Sequence, residues 1–139
     1  MTTSARPRAN LGTGRRVLRA GLSIYDAATL KSGFAPTGEI TFRLFGPTDP
    51  RCSGTPVFTS AAAVNGNGVY NSEGFTPTES GTYRWVAIYS GDANNRPAGP
   101  GRCGEPAEEV RITLLAEPEL TTSASAASIL AARSVTRRT

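Results

Sequence analysis

The chain has 139 residues, of which 38% are hydrophobic and 19% are charged, and it contains no histidine. This length suits one domain of about 100 residues with flanking segments. No apolar run approaches the roughly 18 residues that a membrane-spanning helix needs. The absence of histidine excludes Ser-His and Cys-His catalytic pairs and every metal site that uses histidine.

The formal net charge of +4 is unevenly distributed along the chain. Five arginines and no acidic residue occur in the first twenty residues, whereas residues 21–115 contain seven basic and nine acidic residues. No predicted strand or helix carries a stripe of arginine, so the charge does not predict a nucleic-acid-binding surface. Residues 1–16 are predicted to form a disordered basic tail, and ordered structure is predicted to begin near Val17.

Short segments with alternating apolar and polar residues follow in chain order, each bounded by turn-forming residues. They predict strands over residues 23–30, 39–45, 57–64, 69–75, 82–90 and 109–114. The run Ala61-Ala62-Ala63 could also lie in a helix. Together with the ordered residues that begin near Val17, these segments amount to about seven short strands, and no helix is convincing. The pattern predicts an all-β protein with two packed sheets over residues 17–115.

Two turns in this pattern carry specific expectations. Asn65-Gly66-Asn67-Gly68 favours a hairpin between its flanking strands, because Asn-Gly supplies the positive φ angles of the primed turns. The Gly81-Thr82-Tyr83 entry into the next strand is typical of a tyrosine corner, in which the phenol bonds back to the preceding turn. The predicted core consists of Ile24, Ala28, Leu30, Ile40, Phe42, Leu44, Tyr83, Trp85, Ala87, Val110 and Ile112.

The two cysteines, Cys52 and Cys103, fall in loops rich in glycine and proline. An even number of cysteines in a small β domain favours a disulfide and an oxidising compartment, although two free thiols are the alternative. In a conventional sandwich these two loops start at opposite ends of strands roughly 26 Å long. A disulfide therefore requires one loop to fold back along the sheet.

The remaining polar clusters do not predict catalysis. Asp92, Asn94 and Asn95, with Asp49 elsewhere, offer oxygens for calcium, but calcium needs six or more, and such residues are more often turn formers. Glu105, Glu108 and Glu109 are predicted to be solvated charges at the entry of the last strand. No catalytic residue, cofactor site or metal site is predicted.

Residues 22–115 nevertheless resemble the tandem immunoglobulin-like domains of large exported and cell-surface bacterial proteins. The resemblance rests mainly on Pro36-Thr37-Gly38-Glu39-Ile40 and on Tyr83-Arg84-Trp85 followed by Tyr89-Ser90-Gly91-Asp92-Ala93-Asn94. It implies an immunoglobulin-like antiparallel β-sandwich, with Trp85 where immunoglobulins have a cysteine. It also implies a non-catalytic structural or adhesion module, an extracellular location, and neighbouring repeats or a cell-surface protein or glycan as partners.

One further expectation depends on this resemblance. Residues 116–139 are similar to a linker followed by the start of a truncated repeat, which suggests a piece of a longer protein. The alternative function is a carbohydrate-binding module, whose platform would be built from Trp85 and the four tyrosines Tyr25, Tyr70, Tyr83 and Tyr89. Core packing explains Trp85 and Tyr83 more simply.

Overall fold

The computed structural model describes residues 1–7, 14–18, 23–115 and 118–125. They contain eight strands and one 3₁₀ turn at Pro106–Glu108. The strands are β1 (Thr2–Pro7), β2 (Gly14–Leu18), β3 (Ile24–Leu30), β4 (Glu39–Phe45), β5 (Phe58–Ala63), β6 (Gly68–Asn71), β7 (Gly81–Tyr89) and β8 (Glu109–Leu114). Within these residues no helix has the length and apolar character needed to cross a membrane.

The strands form two sheets that enclose one hydrophobic core. One sheet has the order β1-β3-β6, and the other has the order β2-β8-β7-β4-β5. All neighbouring strands are antiparallel except β2 and β8, which are parallel. The predicted all-β sandwich is therefore confirmed.

The N-terminal segment differs from the disordered tail that was predicted over residues 1–16. β1 pairs with β3, from Thr2 opposite Thr29 to Pro7 opposite Ile24, and β2 pairs with β8. Backbone hydrogen bonds make these pairings, and the open edges of β3 and β8 determine where they form. The composition of residues 1–16, which is rich in Arg, Gly and Pro, does not predict these strand pairings. In the predicted C-terminal segment, residues 118–125 have no regular structure, whereas residues 116–117 and 126–139 lie outside the described residues.

The core is built from alternate residues of the two facing sheets. All eleven residues predicted for the core are buried, none with more than 5% of its surface exposed. Tyr89 joins them from the end of β7, and the partly buried rings of Phe58 and Phe75 pack against the cluster. Trp85 is fully buried, and its ring meets Phe58 edge-on at a centroid distance of 6.3 Å.

The predicted hairpin at Asn65–Gly68 is wrong. β5 and β6 belong to different sheets, so the turn carries the chain across the sandwich. The Tyr70 hydroxyl closes this turn by accepting the Asn65 N–H at 2.8 Å and donating to the Gly66 carbonyl at 2.7 Å. β6 then pairs with β3 at the edge of the three-stranded sheet. The positive φ of Gly66, which the Asn-Gly pattern indicated, serves this crossing instead of a hairpin.

Trp85→Ala is expected to reduce the free energy of unfolding by about 3–5 kcal/mol, because it removes the largest fully buried side chain and leaves a cavity between the sheets. Urea denaturation followed by circular dichroism measures the change. Phe34→Ala is the control, since Phe34 is 73% exposed and should change stability by less than about 0.5 kcal/mol. Equal effects of the two substitutions would contradict the central position of Trp85.

Candidate functional site

The two motifs that carry the family resemblance meet at one end of the sandwich, around the carboxylate of Asp92. This carboxylate accepts the Thr37 N–H at 2.7 Å, the Thr37 hydroxyl at 2.9 Å and the Asn94 N–H at 2.8 Å. The Asn95 side-chain amide donates a fourth bond at 2.8 Å. These donors, the Thr37 backbone N–H above all, hold the pKa of Asp92 well below its ordinary value. The ionised Asp92 carboxylate therefore connects the β7–β8 loop, in which it lies, to the β3–β4 loop.

Two asparagine side chains hold the β3–β4 loop by pairing with consecutive backbone amides. Asn67 accepts the Gly33 N–H and donates to the Gly33 carbonyl, both at 2.9 Å. Asn95 does the same to Phe34, at 2.8 and 3.0 Å. The β5–β6 turn and the β7–β8 loop are thus both hydrogen-bonded to the β3–β4 loop.

Close backbone contact at this end requires glycine. Gly38 has a φ of +96°, and a Cβ there would lie 2.5 Å from Ser90 Oγ and 2.6 Å from the Gly91 carbonyl oxygen. Ser90 Oγ accepts the Glu39 N–H at 2.9 Å and donates to the Gly91 carbonyl. The Pro-Thr-Gly and Tyr-Ser-Gly-Asp motifs are therefore two halves of one contact.

The calcium candidates do not form a cation site. Asp92, Asn94 and Asn95 lie in one loop, but the Asp92 oxygens face N–H and O–H donors. Asp49 caps a different loop, where it accepts the backbone N–H groups of Ser53 and Gly54. The described part of the chain contains no group of three or more metal-binding side chains.

Tyrosine hydroxyls tie both ends of β7 to neighbouring turns. Tyr83 donates to the Glu79 carbonyl at 2.8 Å, which is the bond that the tyrosine corner predicted. Tyr89, at the other end, donates to the Thr37 carbonyl at 2.7 Å. Sequence reasoning missed the second bond, because its partner is 52 residues away.

Cys52 and Cys103 form a disulfide with a Cα–Cα distance of 5.8 Å, so the predicted bond is confirmed. The β7–β8 connection makes the required return along the sheet. Ala98 pairs with Tyr89, Glu109 pairs with Arg84, and residues 99–108 arch out between these two pairs. The arch carries Cys103 to the β4–β5 loop that holds Cys52.

The arch covers part of the sheet surface that faces away from the core. Phe45 and Val86 alternate with inward-facing residues, yet they are only 5% and 8% exposed. Together with Cys52 and Cys103 they line a cavity of about 190 Å³, whose other walls are Arg43, Arg51, Pro100 and Gly101. We call this cavity the disulfide groove. The sequence carries no local signal for this groove, because a strand pattern shows which face is apolar but not which loop covers it.

Glu108 corrects the prediction that Glu105, Glu108 and Glu109 are solvated charges. Glu108 is only 4% exposed and lies beside the fully buried Asp26 of β3, whereas Glu109 pairs with Arg84 at 3.2 Å. Burial, reinforced by the Asp26 carboxyl, holds the pKa of Glu108 far above its ordinary value of 4.5. The 3₁₀ turn causes this placement, because it directs Glu108 inward just before β8 begins.

Comparison of the sequence with models of known protein families finds no match, and comparison with curated proteins finds none either. The site must therefore be interpreted from its own chemistry.

Reduction of the disulfide is expected to reduce the free energy of unfolding by up to about 4 kcal/mol, because the bond closes a loop of 51 residues in the unfolded chain. Urea denaturation with and without dithiothreitol measures the loss. The Cys52→Ser/Cys103→Ser variant should have about the stability of the reduced wild type, whether or not dithiothreitol is present. A wild-type chain that is insensitive to reductant would contradict the prediction.

Glu108→Gln is expected to stabilise the protein increasingly as the pH rises from 5 to 8. The raised pKa of Glu108 means that folding takes up a proton above pH 4.5, so wild-type stability falls with rising pH. Glutamine cannot ionise, and its advantage should reach about 1–3 kcal/mol at pH 8. Urea denaturation at several pH values measures it, with the exposed Glu119→Gln as control. Parallel pH profiles of wild type and Glu108→Gln would contradict the prediction.

Proposed function

We propose that this chain is a non-catalytic structural module, a spacer or adhesion repeat with an immunoglobulin-like fold, from an exported bacterial surface protein. One observation carries the proposal: the polar residues of the family-like motifs are occupied in joining loops. Asp92, Asn95 and Ser90 bond to backbone groups of the β3–β4 loop and of Glu39. Residues that serve rigidity in this way are suited to a mechanical role.

The strand order supports the immunoglobulin-like part of the proposal. Immunoglobulin sandwiches place their second and fifth strands in one sheet and their third, sixth and seventh in the other. If β1 and β2 are counted as one first strand divided between the sheets, then β3 and β6 take the former positions, and β4, β7 and β8 take the latter. Fold alone does not determine function, so this supports the architecture only.

The direction of the chain supports a role in series. β1 starts beside the end of β3, where Thr2 pairs with Thr29, close to the loop that Asp92 and Asn95 hold. β8 ends beside the start of β7, beyond the pair of Ile112 with Gly81. The chain thus enters at one end of the sandwich and leaves at the other, so successive copies would extend in a line.

The disulfide supports export, because such bonds persist in oxidising compartments. The alternative sugar platform finds no comparable support. Trp85, Tyr83 and Tyr89 are at most 3% exposed, so their rings are not accessible to a sugar.

A recombinant array tests the spacer role. Three copies joined through residues 116–122 should have a maximum dimension, measured by small-angle X-ray scattering, that grows by about 30 Å or more per copy, the length of a nine-residue strand. A single copy is the control. A dimension that does not grow with copy number, or binding on a glycan array that Tyr25→Ala abolishes, would contradict the proposal.

Cell fractionation tests the location independently. In the producing bacterium, protease added to intact cells should remove the chain, and alkylation under non-reducing conditions should leave both cysteines unmodified. Recovery only from the cytosol with two alkylated cysteines would overturn export.

A further inference from the structure

The disulfide groove has an apolar floor on a face of the protein where solvated residues are expected. Phe45 and Val86 form the floor, and Pro100 and the disulfide form one wall. The arch that carries Pro100 runs close to β7, because a Cβ on Gly99 would lie 2.7 Å from the Ala87 carbonyl oxygen. The Cys103 sulfur also contacts the Pro50 carbonyl oxygen at 3.4 Å. Covalent and backbone contacts therefore hold the walls in place.

The charges at the groove are of one sign. Arg43 and Arg51 are exposed at its margin, and within the described residues neither guanidinium has an ion pair or a side-chain hydrogen bond. Arg84, by contrast, is neutralised by Glu109. No acidic residue lines the groove. Two unpaired guanidiniums beside an apolar floor are complementary to a carboxylate attached to an apolar body.

We infer that the disulfide groove binds a small carboxylic acid with an apolar body. The carboxylate bonds to Arg43 and Arg51, and the body packs against Phe45, Val86 and Pro100. The volume of about 190 Å³ admits a single ring or a short aliphatic chain, since the pockets that hold drug-sized ligands measure about 300 Å³ or more. This binding site is additional to the spacer role, and its failure would leave that proposal unaffected.

Titration of the ¹⁵N-labelled full chain with phenylacetate, followed by NMR, tests the inference. Saturable shifts are expected for the backbone amides of Val86, Gly101 and Cys103. Phenylacetamide lacks the charge, whereas acetate and inorganic phosphate lack the apolar body, and glucuronate has a polar one. Each of these probes should bind at least about tenfold more weakly, the effect of losing one charge-assisted hydrogen bond or one buried apolar contact.

Arginine substitutions identify the groups responsible. Arg43→Gln and Arg51→Gln should each weaken phenylacetate binding about tenfold. Both variants should fold as the wild type does, because the two side chains are exposed. Arg111→Gln is the matched control, since Arg111 is exposed on the same sheet but does not line the groove. The affinity of the Arg111→Gln variant for phenylacetate should stay within about twofold of the wild-type affinity.

Several results would overturn the inference. They include the absence of saturable shifts at millimolar phenylacetate, equal affinity for phenylacetamide, acetate or phosphate, and unchanged affinity in both groove variants. Equal affinity for glucuronate would assign the site to acidic sugars and would equally overturn the apolar class proposed here.

Discussion

The structure depends on β7, which contacts its neighbours through both edges, its inner face and both ends. β4 and β8 pair with its two edges, and its inner face supplies Tyr83, Trp85, Ala87 and Tyr89 to the core. The hydroxyls of its first and last tyrosines fix the turns at both ends. Because one strand carries core packing, sheet pairing and loop attachment together, displacement of β7 would disturb all three.

The disulfide adds contacts on the outer face of β7, because it attaches the arch of residues 99–108 to the β4–β5 loop beside Val86. Trp85, two residues after the tyrosine-corner residue Tyr83, is fully buried in the core, whereas the disulfide lies in the loops outside it. Its consequence is a second, smaller apolar layer over Phe45 and Val86. β7 is therefore buried on both faces over part of its length, and the loops that cover its outer face create the groove.

The carboxyl groups of Asp92 and Glu108 make opposite contributions to the pH dependence of stability. Asp92 is stabilised as an anion by N–H and O–H donors, so its charge strengthens the contact between loops. Glu108 is held in its protonated form by burial beside Asp26, so it contributes less to stability as the pH rises. Both groups lie in the β7–β8 connection, yet the local sequence around each is similarly polar and turn-rich.

The sequence by itself determined the sandwich, the strands from β3 to β8, the core and the tyrosine corner. Alternation of apolar residues and glycine-bounded turns are local signals, and burial of one face of each strand makes them reliable. Only the tertiary structure decided the pairing of β1 and β2, the crossing at Asn65–Gly68, the burial of Glu108 and the disulfide groove. Each depends on which backbone edge or loop lies nearby in space, and contacts over dozens of residues leave no periodic trace in the chain.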